Sequence, residues 1–159
     1  EEAVAEQRGE KTEVEPDTVM NMRASAFIPE DYINDVSLRL AAYKELASVV
    51  DEAELTAIQE GLRDRYGYLP EPVANLIEIM GVKCVARISR VARIDANAEN
   101  VNITFAEQAR IAPEKVMALL KKNKGRIKLI PEYTLQIVLP DQALQTASKA
   151  VKKCLQELL

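Results

Sequence analysis

The sequence predicts an α+β fold, a small antiparallel sheet of hairpins packed with about five helices in a single compact domain. Apolar residues recur at helical spacing through three successive stretches after residue 34, and the period then falls to two at Val91 and again at Ile127. Each period-two stretch is interrupted by turn residues and followed by another helical one. A doubly wound parallel sheet would instead alternate single strands with helices, so that architecture is excluded.

Residues 1–16 are polar, acidic and aperiodic and end at Pro16; they read as a tether or disordered terminus, with residues 17–159 as the folded unit. A strand is expected over Thr18–Ala24, closed by Phe27-Ile28-Pro29, because the residue before a proline is held extended. The first helix starts after Asn34, a good N-cap, and presents Val36, Leu40, Tyr43, Ala47 and Val50 as its inner stripe. The second opens on Asp51-Glu52-Ala53-Glu54, with Glu54 three residues beyond the capping acid as a capping box requires. Its stripe is Leu55, Ile58, Leu62 and Tyr66, and Gly67 can take the left-handed conformation that ends a helix. Pro72 suits the first turn of the third helix, where the N–H it lacks has no intrahelical partner. Val73, Leu76, Ile77, Met80, Cys84 and Ile88 form that helix's inner face. Gly81 disfavours mid-helix by about 1 kcal/mol against Ala, so it marks a close approach.

Val91, Ile94, Val101, Ile103 and Phe105 then lie in two runs around Asn97-Ala98-Glu99-Asn100, an antiparallel hairpin. A helix from Pro113 is expected to bury Val116, Met117, Leu119 and Leu120 and to end at Gly125. Ile127–Ile130 and Thr134–Leu139 form a second hairpin across Pro131-Glu132. Asp141 caps the last helix, whose stripe is Leu144, Ala147, Val151, Cys154, Leu155 and Leu158.

With 159 residues, 48% hydrophobic and 29% charged, the chain can bury roughly 70% of its unfolded surface. No apolar run nears the ~20 residues of a membrane crossing, and no apolar-cored leader is present, so a cytoplasmic protein is expected. The opening on Glu1 and the uncapped end of the last helix read as a piece cut from a longer chain. Cys84 and Cys154 both fall on apolar helix faces and read as reduced, buried thiols. Seven acids against Arg8 and Lys11 give residues 1–17 a charge of -5, which leaves the rest near neutral at +1. That balance lacks the excess of a dedicated nucleic-acid binder.

Catalytic constellations are missing. Without histidine, ordinary zinc sites and Ser–His–Asp or Cys–His nucleophile chemistry are excluded, and neither GxxxxGK[ST] nor GxGxxG occurs. Neither catalytic residues nor a cofactor or metal site is therefore expected. Glu52, Glu54, Glu60 and Asp64 read as the solvated face of one helix.

A basic stretch runs through Arg110, Lys115, Lys121, Lys122, Lys124, Arg126 and Lys128 against Glu114 alone, and a second group is Lys83, Arg87, Arg90 and Arg93. Lys121, Lys122, Lys124 and Arg126 are the candidates for phosphate contact, the alternative being a solvated helix end favoured by the dipole. Stacking aromatics are lacking there, which argues against a single-strand platform. Asp64-Arg65-Tyr66-Gly67-Tyr68-Leu69-Pro70 places an acid, an arginine and two tyrosines at a helix end before a rigid corner. Arginine and tyrosine most often dominate protein interfaces, so Asp64, Arg65 and Tyr66 are the candidate interaction site.

Three signatures carry a family resemblance. They are Ile28-Pro29-Glu30-Asp31-Tyr32-Ile33 followed by Arg39-Leu40-Ala41-Ala42-Tyr43-Lys44; Asp64-Arg65-Tyr66-Gly67; and Leu69-Pro70-Glu71-Pro72-Val73-Ala74-Asn75-Leu76. In this order the chain resembles the C-terminal domain of bacterial transcription-repair coupling factor over about residues 17–90. The resemblance implies a regulatory domain without ATPase motifs, attached to an ATP-driven DNA translocase. It implies docking on the N-terminal module of the same protein, masking the surface that recruits the excision-repair damage-recognition subunit until RNA polymerase is engaged. It places that clamp at Asp64 and Arg65; where the family commonly has another acid one turn earlier, this chain has Gly61. The runner-up reading is a nucleic-acid-binding accessory domain using Arg110–Lys128.

Overall fold

The computed structural model describes residues 17–107 and 109–159; the expected acidic tether lies outside them. Its elements in chain order are β1 (Val19–Asn21), α1 (Val36–Ala47), α2 (Glu52–Tyr66), α3 (Glu71–Ile88), β2 (Val91–Ala96), β3 (Asn100–Phe105), α4 (Pro113–Lys122), β4 (Ile127–Ile130), β5 (Thr134–Val138) and α5 (Leu144–Leu158). The α+β class and both hairpins are as expected. The sheet has the order β1-β2-β3-β5-β4. It is mixed rather than wholly antiparallel, because β1 pairs parallel to β2, Met20 opposite Ile94. Three helices separate β1 from β2, ample length for the chain to return in the same direction. β1 is also shorter than Thr18–Ala24: Thr18 directs its hydroxyl to the Val91 carbonyl at 2.8 Å, and the chain turns where Ala24 N–H donates to Met22.

Two hydrophobic clusters share α3. One joins Val82, Val85 and Ala86 to the sheet residues Ile94, Ile103 and Leu135 and to Val151 and Leu155 of α5. The other joins Val73, Leu76, Ile77 and Cys84 to Leu46 of α1, Leu55 and Leu62 of α2, and Ile28 and Ile33 before them. Because α3 is covered on two sides, Ile79, Val82, Val85 and Ala86 are buried as well as most of the predicted stripe, while Ile88 at its end is exposed.

Two predicted inner faces need correction. In α1 the buried residues are Ala42 and Leu46, with Val49 just after, whereas Val36, Leu40, Ala47 and Val50 are exposed. Apolar residues surround this helix (Leu38, Leu40, Ala41, Ala42, Tyr43), so spacing alone selects no face. In α4 only Leu119 is buried; Met117 is exposed and Val116 and Leu120 lie between, because the helix rests on the rim of the sheet. Caps shift by a residue or two. Asp35, not Asn34, accepts from Leu38 N–H, and Asp141 accepts from Ala143 N–H at 2.9 Å, two residues before the cap position of α5 at Ala143. The stripe predicted for α5 is buried throughout.

Candidate docking site

The site is assembled at the end of α2. Asp51 Oδ1 accepts from Glu54 N–H at 2.8 Å as the capping box predicts, and the Glu54 carboxylate reaches back one residue past the cap to accept from Val50 N–H at 2.9 Å. At the other end Gly67 adopts φ 88°, a conformation that L side chains rarely take, and its N–H closes on Arg63. Tyr32 braces this terminus: its hydroxyl faces the carbonyls of Gly67, just past the helix, at 3.0 Å and of Leu62, in its last turns, at 3.2 Å. Its ring meets Tyr66 with centroids 5.6 Å apart and planes tilted by 56°. Burial pushes the Tyr32 phenol above its ordinary value, opposed by the Arg63 charge and reinforced by Tyr66. Tyr43 accepts the Ile28 N–H at 2.7 Å, and Arg39 donates to the Ile33 carbonyl at 2.9 Å. Much of the first signature is thus scaffolding that fixes the loop beneath α2.

Asp64 and Arg65 stand exposed on this braced end, and among the described residues neither has an ion-pair partner. Tyr66 turns inward and is partly buried. Adjacent helix positions diverge by about 100°, and only Arg65 of the charged pair borders a groove of about 680 Å³ between α1 and α2. The groove is walled by Leu38, Ala41, Ala57, Ile58 and Gly61 and rimmed by Lys44, Glu45 and Arg65. Sequence alone singles out neither Tyr32 nor the groove. The tyrosine lies within Ile28–Ile33, but the groove depends on how far α1 stands from α2, which spacing along one helix does not encode.

The basic residues divide. Lys122 lies 3.5 Å from Glu157, and Lys115 reaches the Leu159 main-chain oxygen. Lys121, Lys124, Arg126 and Lys128 are exposed with no ion-pair partner among the described residues. Much of the second group is engaged within the fold: Lys83 with Asp17 at 3.1 Å, Arg87 with the Val49 carbonyl at 3.1 Å, and Arg93 with Asp95 through two bonds of 2.7 and 2.9 Å. Both cysteines are buried and unpaired. Burial raises the Cys84 thiol and pushes that of Cys154 up to about 12, which keeps both protonated. Among the described residues no three His, Cys, Asp or Glu side chains cluster to hold a metal, and no helix is long and apolar enough to cross a membrane.

Residues 22–116, more than half of the chain, match the family model of the TRCF domain. The chain is 34% identical over 161 residues to the transcription-repair-coupling factor of Myxococcus xanthus, covering 99% of itself and 13% of that protein. It is 30% identical over 141 residues to the one of Escherichia coli, covering 89% of itself and 12% of the relative. The chain therefore spans roughly a tenth of the length of these curated relatives. Among solved structures, a crystal structure of the C-terminal domain of transcription-repair coupling factor is similar with a TM-score of 0.75 at 20% identity, over 90% of this chain and 94% of that one, a likeness of fold. The chain belongs to the TRCF domain family.

Proposed function

We propose that this chain is the non-catalytic, autoinhibitory docking domain, cytoplasmic in location, of a transcription-repair coupling factor. In this reading the α2 corner grips the N-terminal module of the same protein. It masks the surface for the excision-repair damage-recognition subunit and restrains the ATP-driven translocase until RNA polymerase is engaged. The observation that carries it is the corner itself, where Asp64 and Arg65 stand exposed, without an ion-pair partner among the described residues, on a helix end braced by Tyr32 beside an open groove. A braced backbone loses little freedom on docking. A tether raises local concentration to about the millimolar range, so even a weak polar contact would hold the closed state. Release is then a population shift toward whatever binds the uncovered surface. In the full-length protein, Asp64→Ala with Arg65→Ala should raise the basal ATPase rate and the capture of the damage-recognition subunit. Unchanged values in a correctly folded double variant would refute the clamp.

A second reading, a nucleic-acid accessory surface, draws on the exposed Lys121, Lys124 and Arg126 together with Lys122. It requires DNA binding that weakens steeply as salt rises. A flat anisotropy titration at low salt would dismiss it.

A further inference from the structure

β4 forms one margin of the sheet, and among the described residues no strand lies beyond it. In an antiparallel pair alternate residues exchange both hydrogen bonds, and those between them turn their N–H and C=O the other way. Val138 N–H donates to the Arg126 carbonyl at 2.7 Å, so Lys128 and Ile130 share that phase and bond to β5. The opposite side of β5 agrees: Phe105 N–H donates to Tyr133 and Leu139 N–H to Glu99, both at 2.9 Å, which puts the amides of Leu135 and Ile137 on β3. Leu129 therefore directs N–H and C=O outward, and neither has a partner among the described residues.

Its side chain is equally unfinished. Leu129 sits opposite the buried Leu135, on the helix-covered face, yet is 58% exposed because the helical layer stops short of it. With Met117 (64% exposed) and Tyr133 (68%) it rims an apolar slot of about 360 Å³ against Phe105, Ile111 and Val116. Tyr133 is placed there by a left-handed backbone, φ 55°, uncommon for an aromatic residue. Lys128 adjoins Leu129 on β4 and turns to the opposite face, the exposed Lys124 and Arg126 precede it along the same edge, and Glu107 borders the slot.

We propose that the β4 edge accepts an extended segment of another protein as an added strand, bonded through the Leu129 backbone, with an apolar side chain in the slot and carboxylates beside the cations. The register dictates this chemistry. A residue opposite Leu129 would point to Leu129's own face, over the slot, and its neighbours would point to the face of Lys128. The recognised pattern is acidic–apolar–acidic, without proline at the pairing position. A second copy paired about Leu129 would set Ile130 opposite Lys128 and leave that charge without a carboxylate, which an acidic segment of another protein supplies. This edge belongs to a different element from the α2 corner, so either proposal can fail alone.

The test titrates a fluorescein-labelled heptapeptide of alternating Glu and Val against the 159-residue chain at low ionic strength, read by anisotropy. Saturable binding is expected, weakened about tenfold when the central valine is N-methylated, since one backbone hydrogen bond is removed. Exchange of Glu for Lys in the peptide, or Met117→Asp in the exposed rim, should weaken it similarly. Absence of binding, or equal binding of the N-methylated peptide, would overturn the proposal. So would displacement of the peptide by oligo-dT, which would make the surface a nucleic-acid site, or self-association abolished by Met117→Asp, which would make the occupant a second copy.

Discussion

Single residues show where local chemistry decides. A methyl group added at Gly61 meets nothing within 4 Å, whereas at Gly81 it would lie 3.2 Å from Lys152 Nζ and 3.4 Å from Leu55 Cδ2. Lys152 is also positioned between Glu78 and Glu52, at 3.7 and 3.9 Å. Gly61→Ala should therefore stabilise the chain by about 1 kcal/mol through helix propensity alone, and Gly81→Ala by less; urea denaturation of both variants checks the order. The same observation bears on the groove. Packing does not require glycine at 61, where the missing side chain leaves the groove wall open. Asp95 shows the electrostatic counterpart. Hydrogen bonding from Arg93, opposed by burial and aided by Asn21, holds its carboxyl below the ordinary range. A lowered folded value contributes stability above the unfolded pKa of about 4 and loses it as pH falls through the folded value. Between about pH 5 and 2 the native protein should thus lose stability more steeply than Asp95→Asn, by urea midpoints at each pH.

At the scale of elements, what is written within a few residues could be read, and what depends on distant packing could not. The Asp51–Glu54 box, the Gly67 stop and the proline entry of α3 are encoded locally and occur as predicted. Asp51→Ala should cost about 1 kcal/mol, measurable by chemical denaturation, while leaving the Gly67 end unchanged. By contrast, α1 carries apolar residues all round, and α2 and α3 choose which of them it buries. The parallel pairing of β1 follows from where three helices return the chain, which no turn motif records. Asp64, Arg65 and Tyr66 do meet at one corner, but only the fold reveals that Arg65 faces the groove, that Asp64 does not border it, and that Tyr32 supports them.

The whole molecule is two cores with one wall in common. Leu155 lies in the sheet-side core, while Tyr32, Tyr43 and Tyr66 pack against the other. Leu155→Ala should cost about 2–5 kcal/mol. Because α3 couples the halves, tyrosine fluorescence and far-UV circular dichroism should shift to the same lowered midpoint; separate midpoints would mean that the halves melt apart. The α2 corner runs through Leu69 and Pro70 directly into that wall, so a partner seated there rests on the best-buried helix of the chain. A helix enclosed on both flanks has little room for variety: of residues Glu71–Ile88 only Glu71, Ala74 and Ile88 are exposed. In a library of random replacements this segment should accept the fewest alternatives, and related chains should drift at their rims while α3 stays nearly fixed in volume.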